Sequence, residues 1–444
     1  MSFWLFCVLV VSNHLHLTAR LPALGAMRFD FLIAIGALIT MLMSRPKGAE
    51  TPPQEKETTK RLLLLIGFAV ITIPVARWPG SIIDHGFETF FRAFIYYFLV
   101  VGTVRTEKQL AIFFMCFGGT QVFRVLEPLY LHLTEGYWGA STNMGNWTAM
   151  DRLSGAPNDI VNPNGLAYLV VSTLPLVYYA QQRMKLLYKG IAWAVIGAMI
   201  YTLILTGSRS GFLVLSLLIG AWVWTSKHRT VAITVMLIFG AVVLAGMSDL
   251  QRDRYLSIYR SDVPGAATAQ GRLDGVADDF KAAMERPITG HGIGTSLEVN
   301  TWIRGGAQIS HDLYAETAQE LGFVGLGILL AYIWSAIKGT WQASKILRKQ
   351  NYGPALWIAG QVMPVMLATL FVFSFATYGL SEYHWYLLGG MGVVTMRLVS
   401  ARAKENADGG APAPTSTPSK RSPYPSAKRP SLARPRAAQI TGRK

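Results

Sequence analysis

The chain has 444 residues, of which 51% are hydrophobic and only 15% charged, and its formal net charge is +16. Its apolar residues come in long runs, which indicates a polytopic membrane protein rather than a soluble one. Much of the positive charge lies after residue 397, so the basic balance does not indicate nucleic-acid binding. The two cysteines, Cys7 and Cys116, lie in apolar runs, which suggests neither a disulfide framework nor a metal site.

Read in order, the runs predict an all-α fold with about twelve membrane-spanning helices. The predicted spans lie near residues 2–19, 28–44, 61–76, 84–103, 107–124, 164–181, 187–205, 209–225, 229–246, 311–337, 353–374 and 378–398. The first lacks the basic start and the small-residue cleavage site of a signal peptide, so it is interpreted as a membrane anchor. Residues 1–400 would then form one transmembrane domain.

Lys and Arg concentrate in alternate connections between the spans, which predicts that those connections are cytoplasmic. They lie near residues 45–61, 105–108, 183–189, 227–229 and 338–349. Both termini then fall inside, and the long segments 125–163 and 247–310 fall outside as periplasmic insertions. Residues 401–444 are rich in Pro, Ser, Ala, Lys and Arg, which predicts a disordered basic tail on the cytoplasmic side, close to anionic membrane lipids.

The segment 206–211, Thr-Gly-Ser-Arg-Ser-Gly, lies directly between two apolar runs. Arg209 is therefore expected where a membrane helix meets water. A cation at that position either reaches a lipid headgroup or faces a polar cavity and binds an anion. Arg209 alone favours the headgroup, but Arg272 and His311 together favour the anion site.

Arg272 belongs to the largest outer segment, in the first turn of a short predicted amphipathic helix. Free backbone N–H groups and the positive helix end favour anions there. Apolar residues at helical spacing predict that this helix lies on an apolar surface, and Pro287 ends it. They are Leu273, Val276, Ala277, Phe280, Ala283 and Met284.

A glycine-rich segment, Gly-His-Gly-Ile-Gly at 290–294, follows this helix. It lacks the Lys-Ser/Thr ending and the preceding strand of a phosphate-binding loop. It is therefore predicted to be a tight turn that returns the chain to the membrane. His291 is interpreted as a turn residue rather than a catalyst.

His311 opens the next predicted span, with Ser310 as its predicted N-cap. A stripe of small residues runs along the same helix face and lets a neighbouring helix approach, which would place His311 at the mouth of the bundle. The stripe comprises Ala315, Ala318, Gly322 and Gly325. Asp312, Glu316 and Glu320 share an adjacent face, and for Asp312 a capping role is expected.

A histidine accepts protons near neutral pH, and two arginine forks match the oxygens of a diphosphate. All three side chains are predicted at the outer membrane surface. This combination is typical of a site that transfers a group from a lipid-linked diphosphate. The chain has no Asp-x-Asp pair and no His/Cys cluster at ligand spacing, so neither a metal nor another cofactor is predicted.

These residues resemble the O-antigen ligase and O-antigen polymerase superfamily of bacterial envelope glycosyltransferases. The resemblance covers roughly residues 140–340 and rests on four segments in the family's order. They are 158–165 (Asn-Asp-Ile-Val-Asn-Pro-Asn-Gly), 206–211, 271–272 with 286–294, and 310–325.

The resemblance implies metal-independent, inverting transfer of a glycan from undecaprenyl diphosphate to an acceptor hydroxyl, such as lipid A core. The reaction would occur on the periplasmic face of the bacterial inner membrane. Carried over by position, Arg209 and Arg272 hold the diphosphate and His311 activates the acceptor. Ser208, Asp312 and Glu320 are expected to support them. Asp312 replaces the family's commoner Asn, and a carboxylate there would raise the pKa of His311.

Several related functions stay open from the sequence. A polymerase or a protein O-oligosaccharyltransferase shares the same chemistry, and the ligase is favoured because the outer loops are modest in size. A multi-span transporter is the alternative of a different class. Transporters usually show similar halves and broken helices at the bilayer midplane, whereas here the polar motifs gather at the outer surface in the second half. The glycan, the acceptor and the oligomeric state are not specified.

Overall fold

The computed structural model describes residues 1–44, 52–139, 152–159, 161–225, 266–306, 310–348, 352–377 and 379–408, with single residues between 229 and 252. These residues form helices and no strand, which confirms the all-α prediction. Among these described helices, five are long and apolar enough to cross a membrane. They are Pro53–Val75, Glu107–Glu135, Leu186–Thr206, Leu313–Leu347 and Pro354–Phe373. The predicted count of about twelve spans is not confirmed, and most of the span 229–246 lies outside the described residues.

Thirteen longer helices are labelled here in chain order within the described ranges. They are α1 (Ser2–His14), α2 (Phe29–Met43), α3 (Pro53–Ile71), α4 (Phe87–Thr103), α5 (Glu107–Glu135), α6 (Pro163–Gln181), α7 (Leu186–Thr206), α8 (Arg209–Thr225), α9 (Ala266–Glu285), α10 (Ser296–Arg304), α11 (Leu313–Leu347), α12 (Pro354–Phe373) and α13 (Tyr383–Asp408). Shorter helical segments are Leu17–Arg20, Pro22–Ala26, Ile73–Val75, Pro79–Ser81 and Ile82–Gly86.

The start of α6 shows how local sequence positions the site. Asn162 is its N-cap, and the side-chain oxygen accepts a hydrogen bond from the backbone N–H of Gly165 at 2.9 Å. Pro163 occupies the first helical position, where its missing N–H costs nothing. The predicted Asn-Pro-Asn entry is therefore a capped helix start, and it holds Asn164 at the rim of the bundle.

Helix α11 lies at the centre of the described bundle and packs against α3, α9 and α12, while α12 packs against α6 and α6 against α7. Gly322 interrupts α11 with non-helical backbone angles, φ 67° and ψ −178°. An L side chain rarely adopts that φ, so glycine is required at the kink. The kink at Gly322 divides α11 into two helical parts, one before and one after this residue.

Residues Met1–Ala403 form one compact unit. Helix α13 continues to Asp408, so the helix extends eight residues into the segment 401–444 that is predicted to be a disordered tail. Alanine, arginine and lysine are good helix formers, which accounts for the extension. The rest of the predicted tail lies outside the described residues.

Candidate active site

A cavity of about 360 Å³ brings together residues that are far apart in the sequence. Of the six predicted site residues, Arg272 and His311 line it, and Arg209, Ser208, Asp312 and Glu320 do not. The other lining residues are mostly polar or aromatic. They include Asn13, His16, Arg124, Asp159, Asn162, Asn164, Tyr168, Thr377, Glu382, Tyr383, His384 and Trp385.

Arg272 is held over the cavity by the docking of helix α9 onto α11. Asp279 follows Arg272 by seven residues, so both lie on one helix face. The Asp279 side chain is buried, and its Oδ2 accepts a hydrogen bond from the Ser310 hydroxyl at 2.7 Å. This bond ties the helix that carries Arg272 to the residue before His311. Burial lowers the pKa of Arg272, which marks a guanidinium partly withdrawn from water.

The predicted apolar contact face of α9 is only partly correct. Ala283 is buried as predicted, but Leu273 is 66% exposed and Met284 is 68% exposed, and the buried face includes the polar Asp279. The helix does form and ends just before Pro287 as predicted, but it begins at Ala266, so Arg272 lies in its second turn and not in the predicted first turn. Its buried face is set by the hydrogen bond to Ser310, a partner 31 residues further on that periodicity does not show.

His311 lies directly before the N-cap residue of α11 instead of in the first turn of the helix. Asp312 is the N-cap, because its Oδ1 accepts hydrogen bonds from the N–H groups of Tyr314 and Ala315 at 2.8 and 2.9 Å. The predicted cap Ser310 is wrong, since its hydroxyl donates to Asp279 instead. Burial raises the pKa of Asp312, and the two backbone donors oppose that rise. The expected capping role of Asp312 is confirmed.

The loop that precedes Arg209 is fastened to the start of α6. The Ser208 hydroxyl donates to Oδ1 of Asn164 at 3.1 Å, and Arg152 donates to the same oxygen at 3.0 Å. Arg152 also donates to the carbonyl of Thr206 at 2.8 Å. Asn164 lines the cavity, so Ser208 supports the cavity wall through it. Gly207, at φ 54°, ends α7 and lets the chain turn into α8.

Arg209 is the first residue of α8 and lies outside the described lining of the cavity. The positive charge of Arg272 nevertheless acts on the Arg209 guanidinium. Two arginines from separate helices thus place positive charge at the same end of the bundle. Like charges brought together at a partly dry site favour binding of an anion between or beside them.

The glycine turn at 290–294 docks into the kink of α11. The carboxylate of Glu320 accepts hydrogen bonds from the Gly294 N–H at 2.8 Å and from the Ser296 hydroxyl at 2.5 Å. The Gly292 N–H donates to the carbonyl of Glu320 at 2.8 Å. A Cβ on Gly290 would lie 2.3 Å from that carbonyl carbon, so glycine is needed for the close approach. Glu320 therefore holds the turn rather than facing the cavity.

His291 is a buried member of this turn. Its Nε2 lies 3.0 Å from the carbonyl of Ala282, and its ring packs near Trp78 and Trp302. Burial lowers the pKa of His291, which favours the neutral ring. The structure places it as the sequence predicts, in the turn and away from the lining of the cavity.

The cavity lining also contains a buried ion pair, Arg124 and Asp159, that the sequence analysis did not predict. Arg124 on α5 donates two hydrogen bonds to the Asp159 carboxylate, at 2.7 and 2.9 Å. Burial alone would raise the pKa of Asp159, but the bonds and charge of Arg124, with His16 nearby, lower it to about 2. An arginine inside the predicted span 107–124 was the available signal, because charges in spans are usually functional.

Metal ligands do not cluster in the part of the chain that the structure describes. No group of three or more His, Cys, Asp or Glu side chains there could hold a metal ion. Independence from metals stays a prediction of the sequence.

Comparison with known families supports one of the classes of protein considered above. Residues 167–330 match the family model described as O-antigen ligase. The resemblance to the O-antigen ligase and polymerase superfamily is confirmed. The match runs from α6 into α11 and includes Arg209, Arg272 and His311. No curated protein matches the chain.

The matched family comprises ligase- and polymerase-type glycosyltransferases. Together with the apolar helices, the match supports an enzyme that works at a membrane. Such enzymes have lipid-linked glycans and acceptors as partners in general. The transporter alternative finds no support from the matched region.

Proposed function

We propose that this protein is an O-antigen ligase-like glycosyltransferase. It transfers a glycan from undecaprenyl diphosphate to an acceptor hydroxyl on the outer face of the bacterial inner membrane. Arg209 and Arg272 bind the diphosphate, and His311 accepts the proton of the acceptor hydroxyl. The observation that carries the proposal is the cavity that both Arg272 and His311 line, two residues that lie in the region that matches the O-antigen ligase family.

The reaction balances without a metal or another cofactor. His311 removes the hydroxyl proton while the acceptor oxygen attacks the anomeric carbon. The bond from that carbon to the diphosphate oxygen breaks, and undecaprenyl diphosphate leaves with the bonding electrons. Arginine forks stabilise the charge on the leaving group. Attack from the face opposite the leaving group inverts the anomeric carbon.

The clamp is tested by Arg272→Lys, which keeps the charge but removes the planar fork. We expect kcat/KM for the glycan-bearing donor to fall by about 10- to 100-fold, as for loss of one charge-assisted hydrogen bond. Turnover is measured with purified protein, with and without EDTA. Arg92→Lys is the matched control, because Arg92 is exposed and pairs with Glu88 on the same helix. Unchanged kcat/KM in Arg272→Lys, or loss of wild-type turnover in EDTA, contradicts the metal-free clamp.

The outer location of the site predicts the accessibility of helix α9. Gln270 is exposed near its start, so a Gln270→Cys variant in a background without Cys7 and Cys116 should react with a membrane-impermeant thiol reagent. Labelling is measured in cells whose outer membrane alone is permeabilised. A cysteine in place of Lys338, on a predicted cytoplasmic connection, is the control and should stay unlabelled. The reverse pattern would mean that the topology is inverted.

A further inference from the structure

His16, Asp159 and Arg124 form a second polar group on the lining of the cavity that holds Arg272 and His311. The Arg124 and Asp159 side chains are only 8% and 2% exposed, and they satisfy each other through two hydrogen bonds. Their charges cancel. This part of the lining therefore suits a neutral polar ligand rather than another anion.

The His16 ring retains hydrogen-bonding capacity. Its Nε2 lies 3.1 Å from Oδ1 of Asp159, an ion-pair contact when the ring is protonated. Within the described residues, this buried nitrogen has no hydrogen-bond partner. Buried polar atoms nearly always have one, so a ligand hydroxyl in the cavity would satisfy both this nitrogen and the remaining lone pairs of Asp159.

The backbone of His16 is held in an uncommon conformation. Its φ of 49° and ψ of 45° lie in the left-handed region, which side chains other than glycine adopt at a cost. Asn158, directly before Asp159, also has a positive φ, 71°. Both segments that present this polar group therefore bend sharply at the point where they reach the cavity.

We propose that His16 and Asp159 bind a hydroxyl of the first sugar of the donor glycan. This inference rests on the proposed function. The anomeric carbon of that sugar is bonded directly to the diphosphate, so its ring must enter the cavity whenever Arg272 holds the phosphate beside His311. A cavity of about 360 Å³ falls within the usual range for small-ligand sites, roughly 300–1,000 Å³. The neutral group of His16, Asp159 and Arg124 then selects for sugar hydroxyls. Arg209 and Arg272 bind the diphosphate.

The test compares two ligands on the purified full chain: undecaprenyl diphosphate with its native glycan attached, and bare undecaprenyl diphosphate. His16→Ala should weaken binding of the glycan-bearing donor by about tenfold, the loss of one good hydrogen bond, and leave binding of the bare lipid unchanged. His16→Gln should restore part of the loss. His132→Ala is the matched control, because His132 contacts the carbonyl of Tyr137 and does not line the cavity.

The bare lipid also reports whether the variant is folded. Equal weakening for both ligands, or none for either, would overturn the sugar contact. A raised KM for the acceptor with unchanged donor binding would overturn it too, because His16 would then serve the acceptor sugar. If the wild-type protein binds neither ligand, the proposed function itself fails, which is distinct from a failure of His16 alone.

Discussion

Replacing His311 by alanine should lower turnover by about 10²–10⁴-fold, the usual contribution of a general base, and leave donor binding close to wild type. His311 lines the cavity but does not cap α11, since Asp312 does so. The substitution therefore removes a proton acceptor without removing a helix cap. Purified protein is assayed for turnover and, separately, for binding of the glycan-bearing undecaprenyl diphosphate.

His85→Ala is the matched control for this experiment. The His85 side chain is 59% exposed and lies 3.5 Å from Glu298, and it is not on the lining of the cavity. It should retain wild-type turnover. Asp312→Ala separates catalysis from folding, because loss of the N-cap should destabilise α11 by about 0.5–2 kcal/mol and affect binding and turnover together. Wild-type turnover in His311→Ala would remove His311 from the reaction.

Local sequence signals predicted the helices around the site well. The predicted spans 164–181, 187–205 and 209–225 agree with α6, α7 and α8 to within one residue at every end. Their boundaries depend on short-range chemistry. Asn162 and Pro163 start α6, and Gly207 separates α7 from α8. Such signals lie within a few residues of the boundary, so the sequence alone is sufficient to find them.

Contacts between distant segments were not predictable in the same way. The buried face of α9 depends on the hydrogen bond between Asp279 and Ser310, which are 31 residues apart. The spacing of apolar residues does not reveal that bond. Glu320 likewise binds the glycine turn at Gly294 and Ser296, a contact that was not predicted. In both cases the partners of a polar group become its neighbours only in the folded bundle.

The polar group of His16, Asp159 and Arg124 was missed for the same reason. Its members come from the loop after α1, the segment before α6 and the interior of α5. Only Arg124 gave a signal of its own, as a charge in an apolar run. The two predicted residues that do share the cavity, Arg272 and His311, were connected by their predicted position at the outer membrane surface and by the order of the family's motifs, not by spacing.

Asp159→Asn should lower the free energy of unfolding by about 3–5 kcal/mol, because it leaves the Arg124 guanidinium buried without its countercharge. The pair is nearly inaccessible, at 8% and 2% exposure, so water cannot replace the lost carboxylate. The expected readout is a lower denaturation midpoint of the purified protein in detergent. A second substitution, Arg124→Gln, should recover part of the loss by removing the stranded charge.

The matched control is Glu127→Gln, which removes the carboxylate from a pair of the same chemistry. Arg20 donates to Glu127 at 2.5 Å through both terminal nitrogens, but the two side chains are 24% and 18% exposed. Water solvates the remaining arginine there, so the cost should be near 1 kcal/mol. Because the pKa of Asp159 is lowered to about 2 from its ordinary 3.8, the stabilisation is complete above about pH 4 and is lost only as the pH falls through 2. Equal costs for the two variants at pH 7 would show that burial of the Arg124 pair adds nothing to its contribution.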